Sequence, residues 1–399
     1  MGNDLLDDPR VTRHAESLAR RGHEVVVICC KTERTPRYER CRNYEIVRVP
    51  LENRFLRART GKAQRARHEP SPNWPRFGVG RMSLARRTVR LLVNLADEAF
   101  GFVKAGSVCN ANVYVSNDLD TLLPAFICSL ILDRNLVYDA HELWTDQLIG
   151  LYQESHGYPS WLLSLLNNME SRLVKYCDAT LTVNEFIADE MQTRHGIRPD
   201  VILNVPRLSE HSPRYFPQKI KTVLYQGAYG PGRGLENLLR ACRYLRRDVT
   251  VSLRGFGAYE TELRQIAESE KITNCRFEGP VPQNHAIAAA SRADVGVIPY
   301  VPLNLNNYYS SPNKLFDYIQ AGLPVVASDV PYLRKVVTRY NIGFLFNAED
   351  IKSIAHAINV ATRPATLKRL KNNVEKIRPL FCWEMEEGKY LAIFERLSL

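Results

Sequence analysis

Short β-branched runs alternate with segments of helical period along almost the whole chain, and few folds are open to a sequence built this way. The first half carries HEVVVICC, YEIVRVP, NVYVSND, NLVYDAH and DATLTVN, separated by helical stretches such as TLLPAFICSL and WLLSLLNNMESRLVKY. DPRVTRHAESLARRG, also of helical spacing, precedes the first of these runs. VILNVPR at 201–207 and the aperiodic LSEHSPRYFPQ after it read as an interdomain linker. KTVLYQG, VTVSLRG, CRFEG, VGVIPY and LPVVASD then resume the alternation. Apolar strands separated by helices specify parallel sheets covered on both faces, so the expected fold is α/β, with two doubly wound, Rossmann-like domains in tandem. The expected boundaries are 1–205, completed by a C-terminal helix over 384–399, and 206–383. A length of 399 residues suits two cores better than one. Ligands of open α/β sheets sit beyond the carboxyl ends of the strands, so loops of both domains are expected to line one cleft. The opening MGNDLLDDPR runs into a helix with no strand before it, so either the true start lies upstream or the first domain lacks the strand that normally opens such a sheet.

The net charge of +11 points to an anionic partner. Between 54 and 90, eleven basic residues meet one acid, Glu69, with Phe55, Leu56, Trp74 and Phe77 interleaved. A solvated, partly mobile face accounts for such a stretch, and so does a patch that docks on an anionic membrane. No nucleic-acid-binding motif accompanies the charge. Nine scattered cysteines, none in a C-x-x-C pair or a Cys/His metal spacing, read as thiols in a reducing compartment. No apolar run reaches the roughly 20 residues that a membrane span needs. The expected location is cytoplasmic, either free or attached peripherally to the inner face of a membrane through 54–90.

Two strand-to-helix turns in the second half carry phosphate chemistry. VLYQGAYGPGRGLENLL ends a strand at Gln226, turns through Gly227, Gly230, Gly232 and Gly234, and starts a helix near Leu235. Amides at a helix start hold phosphate oxygens, and Arg233 adds a cation with fork geometry. In SSPNKLFDYIQAGLPVVASD, Ser310, Ser311, Asn313 and the amides after Pro312 are donors, and Lys314 is an ammonium able to reach a phosphate. Asp317, one turn on, repels bare phosphate but accepts both hydroxyls of a ribose. The set reads as a site for a nucleoside diphosphate with its sugar, the alternative being a Pro-Asn cap with Lys314 in solvent. Arg254, Gly255 and Gly257 follow one further strand and Gly279-Pro280-Val281-Pro282 another, with Val281 a candidate for backbone contact to a base. In the first half, LVYDAHELWTDQL places Asp139, His141 and Glu142 after a strand, with Glu142 a candidate to orient the imidazole.

On these residues the second half, from VLYQGAYGPGRGLENLL through PNKLFDYIQAGLPVVASD to NIGFLF, resembles the nucleotide-sugar-binding domain of retaining GT-B glycosyltransferases of family 4. DDPRVTRHAESLARRGHEVVVI and VYDAHELWTD resemble the acceptor domain of the same family. The resemblance implies transfer of a sugar from a nucleoside diphosphate donor, with retention and without a metal ion or other cofactor. It assigns His141, Arg233 and Lys314 to catalysis. Gly227, Gly234, Arg254, Gly255, Gly257, Val281, Ser310, Ser311, Pro312, Asn313 and Asp317 go to the donor, and Asp7, Arg10, Asn117, Asp118 and Glu142 to the acceptor side. Arg233 stands where the family keeps a lysine, and Asp317 where it keeps the second glutamate of E-x7-E. The first glutamate of that motif corresponds to Tyr309, which carries no charge at neutral pH. A further basic residue of the family is replaced by Ala228 and Tyr229, leaving Lys314 or Arg254 to supply its charge.

The function implied is a retaining glycosyltransferase of hexosyltransferase type, acting on a glycan or lipid-linked acceptor in cell-surface polysaccharide synthesis. A phosphate oxygen of the donor would take the acceptor's proton, and His141 would stabilise the sugar in the transition state. A nucleotide-sugar epimerase of the same fold and a non-catalytic donor-binding subunit are the alternatives.

Overall fold

The computed structural model describes residues 5, 8–33, 35–50, 84–151, 158–210, 219–230 and 232–397. Asp7 and most of the basic stretch from 54 to 90 lie outside the described residues. The chain divides into two compact units, Met1–Leu203 with Glu387–Leu399, and Asn204–Glu386.

In unit 1, α1 (Pro9–Arg20) starts where the Asp8 carboxylate accepts from the amides of Arg10 and Val11, with Pro9 in the first turn. Val11, Ala15 and Leu18 repeat at helical spacing and are buried. β1 (Val26–Cys30) pairs in parallel with β3 (Glu45–Val49), and β2 (Tyr38–Arg40) lies antiparallel on the far edge of β3. After α2 (Leu84–Cys109), a second sheet takes β4 (Val113–Asn117), β5 (Asn135–Ala140), β6 (Ala179–Thr182) and β7 (Asp200–Val201), all parallel and in that order. α3 (Leu119–Leu132) joins β4 to β5. α4 (Trp144–Leu151) and α5 (Ser160–Leu173) lie between β5 and β6, and α6 (Glu185–His195) between β6 and β7. Among the described residues no strand precedes α1, and unit 1 holds two separate sheets.

Periodicity did not reveal β2, β7 or α6. β2 is three largely exposed residues and β7 only two, within what reads as linker. α6 lacks a clean apolar stripe, but its start was written in Asn184, whose side chain accepts from Phe186 and Ile187, and its end in Gly196 at φ 76°.

Unit 2 is one six-stranded parallel sheet of order β10-β9-β8-β11-β12-β13. Its strands are β8 (Lys221–Gln226), β9 (Val249–Arg254), β10 (Cys275–Glu278), β11 (Val295–Ile298), β12 (Val325–Ser328) and β13 (Gly343–Phe346). The connecting helices are α7 (Leu235–Ala241), α8 (Glu260–Ser269), α9 (Ala286–Ala290), α10 (Leu305–Tyr309), α11 (Asn313–Gln320) and α12 (Pro331–Tyr340), followed by α13 (Ile351–Ala361) and α14 (Pro364–Ile377). Val223, Val251, Leu253, Val295, Val297 and Val326 of the strands are buried together with Leu235, Leu238, Leu239, Ile354 and Ile358. From β8 the chain winds outward to β10, then returns to β11 on the other side of β8. The strand order therefore reverses between β8 and β11, and the loops leaving these two strands diverge to open a crevice at their carboxyl ends.

α15 (Trp383–Leu397) closes the chain, and its residues from Glu387 belong to unit 1. All nine cysteines are free thiols, with Cys29, Cys30, Cys128, Cys242 and Cys382 buried. Among the described residues no helix is long and apolar enough to cross a membrane.

Candidate functional site

The crevice between β8 and β11 in unit 2 collects the two cations singled out in the sequence. Gly227 follows β8 at φ 142°, and a Cβ there would stand 2.7 Å from Lys314 Nζ, so the ammonium rests against bare backbone. Tyr300, two residues beyond β11, accepts from Lys314 Nζ at 3.1 Å. The Arg233 guanidinium lies over the Tyr300 ring, 4.6 Å from its centroid. Lys314 Nζ is also 5.0 Å from the centre of the Tyr225 ring. Burial works against the charge of Lys314, yet Tyr225 and Tyr300 hold its pKa above the ordinary lysine value. Burial would raise the Tyr300 phenol, but Lys314 and Arg233 together bring it below its ordinary value. α7 and α11 both start without a side-chain cap, behind Gly234 and Pro312. Gly234 sits at φ 66°, where a Cβ would run into the Pro299 carbonyl.

The strand ends beside this crevice are laced together. Gly227 N donates to Arg254 O (2.9 Å), Tyr229 N to Phe256 O (2.8 Å) and Gly255 N to Glu278 O (3.1 Å). Gly255 and Gly257 lie so close to the backbone of Gly227 and Tyr229 that neither has room for a Cβ. Arg254 does not point a free cation into the crevice. Its Nε donates to Glu278 Oε2 at 2.9 Å and its Nη1 to Gln226 Oε1 at 3.1 Å, while Ser252 holds the other Glu278 oxygen at 2.6 Å. The charge beside Arg233 thus comes from Lys314. Val281 is half-buried in the loop after β10. Ser310 donates its hydroxyl to Asn307 O (3.0 Å), closing α10, and Ser311 is buried. Asn313 accepts from Asn204 at 3.2 Å, and Asp317 lies half-buried one turn into α11. Tyr309 ends α10 with its ring 5.2 Å from that of Tyr308.

In unit 1, His141 follows β5 and is gripped by two carboxylates, Asp118 Oδ2 at Nδ1 and Asp139 Oδ2 at Nε2, each at 3.3 Å. Its backbone amide donates to Asp118 Oδ1 at 2.9 Å. The orienting role expected of Glu142 thus falls to Asp118 and Asp139. Asp118, in the turn after β4 and Asn117, has φ 64° and ψ 170°, a strained conformation for a residue with a side chain. Its amide bond to Asp139 O (3.0 Å) helps hold it there. Burial disfavours a charged His141, but Asp118 and Asp139 raise its pKa well above the ordinary histidine value. A carboxylate at each ring nitrogen favours the charged imidazolium. Asp139 is fully buried, and burial would raise its pKa, yet Arg10 and His141 keep it well below the usual carboxylate range.

Arg10 turns out to be a support. It is buried, gives Nε and Nη2 to Asp139 at 2.9 and 2.6 Å, and gives Nη1 to the Ile202 carbonyl at 2.8 Å. His14 lies 3.5 Å from Asp139, but burial and Arg10 push its pKa well below the ordinary value, so it stays neutral. Asp120 is raised to about 6 by burial and by Asp118. Sequence reasoning passed over Tyr300, Tyr225 and Glu278, all on strands or strand ends that it had identified. An aromatic residue or an acid there carries no motif until the partner cations are located.

Residues 10–207 match the model of glycosyltransferase family 4, and residues 220–362 that of the glycosyl transferases group 1. A phosphatidyl-myo-inositol mannosyltransferase of Mycobacterium leprae is 28% identical over 217 residues, 53% of this chain and 54% of the relative. The chain thus spans about half the length of the mycobacterial curated relatives that it matches. Among solved structures, sucrose-phosphate synthase from Thermosynechococcus elongatus superposes with a TM-score of 0.69 at 18% identity, over 97% of this chain and 92% of that one. Anabaena HepE in complex with UDP and glucose gives 0.65 at 13% identity, over 99% and 97%. With both units matched by the family and the whole fold shared with such enzymes, the chain belongs to the family 4, group 1 glycosyltransferases of GT-B fold.

Proposed function

We propose that the chain transfers a hexose, with retention of configuration and without a metal ion, from a nucleoside diphosphate sugar to a glycan or lipid-linked acceptor in cell-surface polysaccharide synthesis. One observation carries this reading: Arg233 and Lys314 meet on Tyr300 beside the bare backbone of Gly227, at the point where the strand order of unit 2 reverses. Two half-buried cations held in place stabilise the charge that develops on a departing diphosphate, a service that other enzymes obtain from a metal. Asp317 is assigned to the ribose and the Val281 backbone to the base. The UDP complexes of HepE support a nucleoside diphosphate as the donor's leaving group.

His141, held cationic by Asp118 and Asp139, does not serve as the base; it supports developing negative charge or a sugar hydroxyl. A donor phosphate oxygen then takes the acceptor's proton. The mannosyl transfer to phosphatidyl-myo-inositol named for the mycobacterial relative supports a lipid-linked acceptor, reached from the cytoplasmic face of a membrane through 54–90. A thermal-shift screen of nucleoside diphosphate sugars, followed by product analysis with and without acceptor, tests the assignment. Stabilisation by one donor and a retained anomeric linkage in the product are expected. Conversion of the donor without acceptor would replace transfer by epimerisation, and binding without turnover would leave a donor-binding subunit.

A further inference from the structure

The two cations of unit 2 face a difficulty that a third group has to solve. Lys314 and Arg233, both half-buried, lie against one aromatic ring, where like charges repel. An ammonium on a flexible stem, left to itself, would swing out to water. Tyr300 stands between them with only 6% of its surface exposed. Its oxygen accepts from Lys314 at 3.1 Å, while its ring face carries the Arg233 guanidinium at 4.6 Å. A phenol oxygen that accepts from a cation still has its own hydrogen to give, and neither the ammonium nor the guanidinium on the ring can take it.

We propose that Tyr300 completes the anion site, its oxygen holding Lys314 beside the Arg233 that lies on its ring, and its hydroxyl hydrogen passing in a hydrogen bond to an oxygen of the diphosphate. The assignment rests on the donor-site reading given above and adds a residue to it. Tyr300 does not leave when the ligand arrives, because its buried ring is the surface on which Arg233 lies. The anion therefore meets three donors already in place, with little reorganisation during reaction.

The pH dependence follows from the groups around the phenol. Lys314 from α11 and Arg233 from the glycine turn favour its ionised form, and Tyr225 of β8 and Tyr318 of α11 also face it. Tyr225 is pushed up to about 12 and Tyr318 higher still, mainly by burial, so Tyr300 ionises first of the three. A tyrosinate has no hydrogen to give and repels an incoming anion. Affinity for a diphosphate thus falls as pH rises through a value below the ordinary 10.0 of a phenol.

Calorimetric titration of the full chain with inorganic pyrophosphate, from neutral to alkaline pH, tests this. Tyr300→Phe keeps the ring under Arg233 and removes only the hydroxyl. It is expected to bind pyrophosphate about tenfold more weakly at neutral pH and to lose the alkaline fall seen in the wild type. Equal affinities with the same alkaline limb would overturn the role of Tyr300 and leave the donor site standing. Wild-type protein that ignores pyrophosphate at every pH would remove the donor-site reading itself. A second measurement needs no variant: at alkaline pH, pyrophosphate should extinguish the ultraviolet absorbance of one tyrosinate in the wild type, since an anion beside the phenol returns its proton. Saturation with no such loss would also overturn the proposal.

Discussion

Each reactive side chain here is charged because a specific neighbour makes it so. Lys314 stays cationic in a buried place through two tyrosines, and its test is direct. Arg233→Ala and Lys314→Ala should each cost about 2–4 kcal/mol of transition-state stabilisation, measured as kcat/KM for the donor. Wild-type kinetics in either variant would refute the phosphate assignment. His141 obeys the opposite sign to a general base. Its pKa is raised by Asp118 and Asp139, so its charged form persists well above 6.5, and turnover in the wild type should show no basic limb from this group near neutrality. Asp118→Asn removes one of the two carboxylates and lowers the histidine's pKa. The imidazolium then loses its proton as pH rises through the neutral range, and kcat should decline over that range in the variant alone. A pH–rate profile of both proteins settles the point, with KM for the donor expected to change less than kcat.

At the scale of elements, the design is a row of parallel strand ends whose loops are too close for side chains. Gly255 lies directly under the Gly227 carbonyl and has no space for a methyl group, whereas a Cβ at Gly279, one strand further on, would meet nothing within 4 Å. Gly255→Ala should therefore destabilise unit 2 by about 2 kcal/mol, and Gly279→Ala should remain within about 0.5 kcal/mol of the wild type. Denaturant melts monitored with and without donor compare the two. The contrast also marks the limit of the sequence. That glycines follow these strands was plain, because period-2 and period-3.6 patterns locate strands and helices well. Which glycine is sterically obligatory was not, since that depends on a carbonyl nearly thirty residues away. The same limit explains Arg254. A basic residue at a strand end reads as a ligand for phosphate, and only the register Gln226–Arg254–Glu278 across β8, β9 and β10 reveals that it is already paired. His141 was legible as a site residue, but its protonation state was not, because Asp118 comes from a different strand-to-helix turn.

The whole molecule carries a net charge of +11, and the proposed function asks that charge to serve both an anionic donor and an anionic membrane surface. On α2, which begins within the basic stretch, Val89, Leu92, Val93 and Phe100 are exposed at helical spacing. Flotation with vesicles rich in anionic lipid should carry the protein upward at low salt and release it at high salt; no flotation at low salt would remove the membrane from the proposed function. The last element tests how unit 1 is held together. Residues of α15 from Glu387 onward belong to it, and Tyr390, Leu391, Ile393 and Phe394 are all buried there. Tyr390 stacks on His14 with ring centroids 4.0 Å apart, and His14 in turn touches the carboxylate that anchors Arg10 and His141. Arg20–Glu387 and Arg396–Asp200 add ion pairs, and Asn135 Nδ2 donates to Leu397 O at 2.7 Å. Each buried side chain contributes about 1.5–3 kcal/mol, so ending the chain after Glu386 removes a sum comparable to the whole stability of a domain. Tyr390→Ala is the milder probe, at a cost of about 3–5 kcal/mol. In both, limited proteolysis should open unit 1 first, while pyrophosphate still stabilises unit 2. Cleavage that begins instead in unit 2, or a Tyr390→Ala protein that melts like the wild type, would show that α15 does not carry the stability assigned to it.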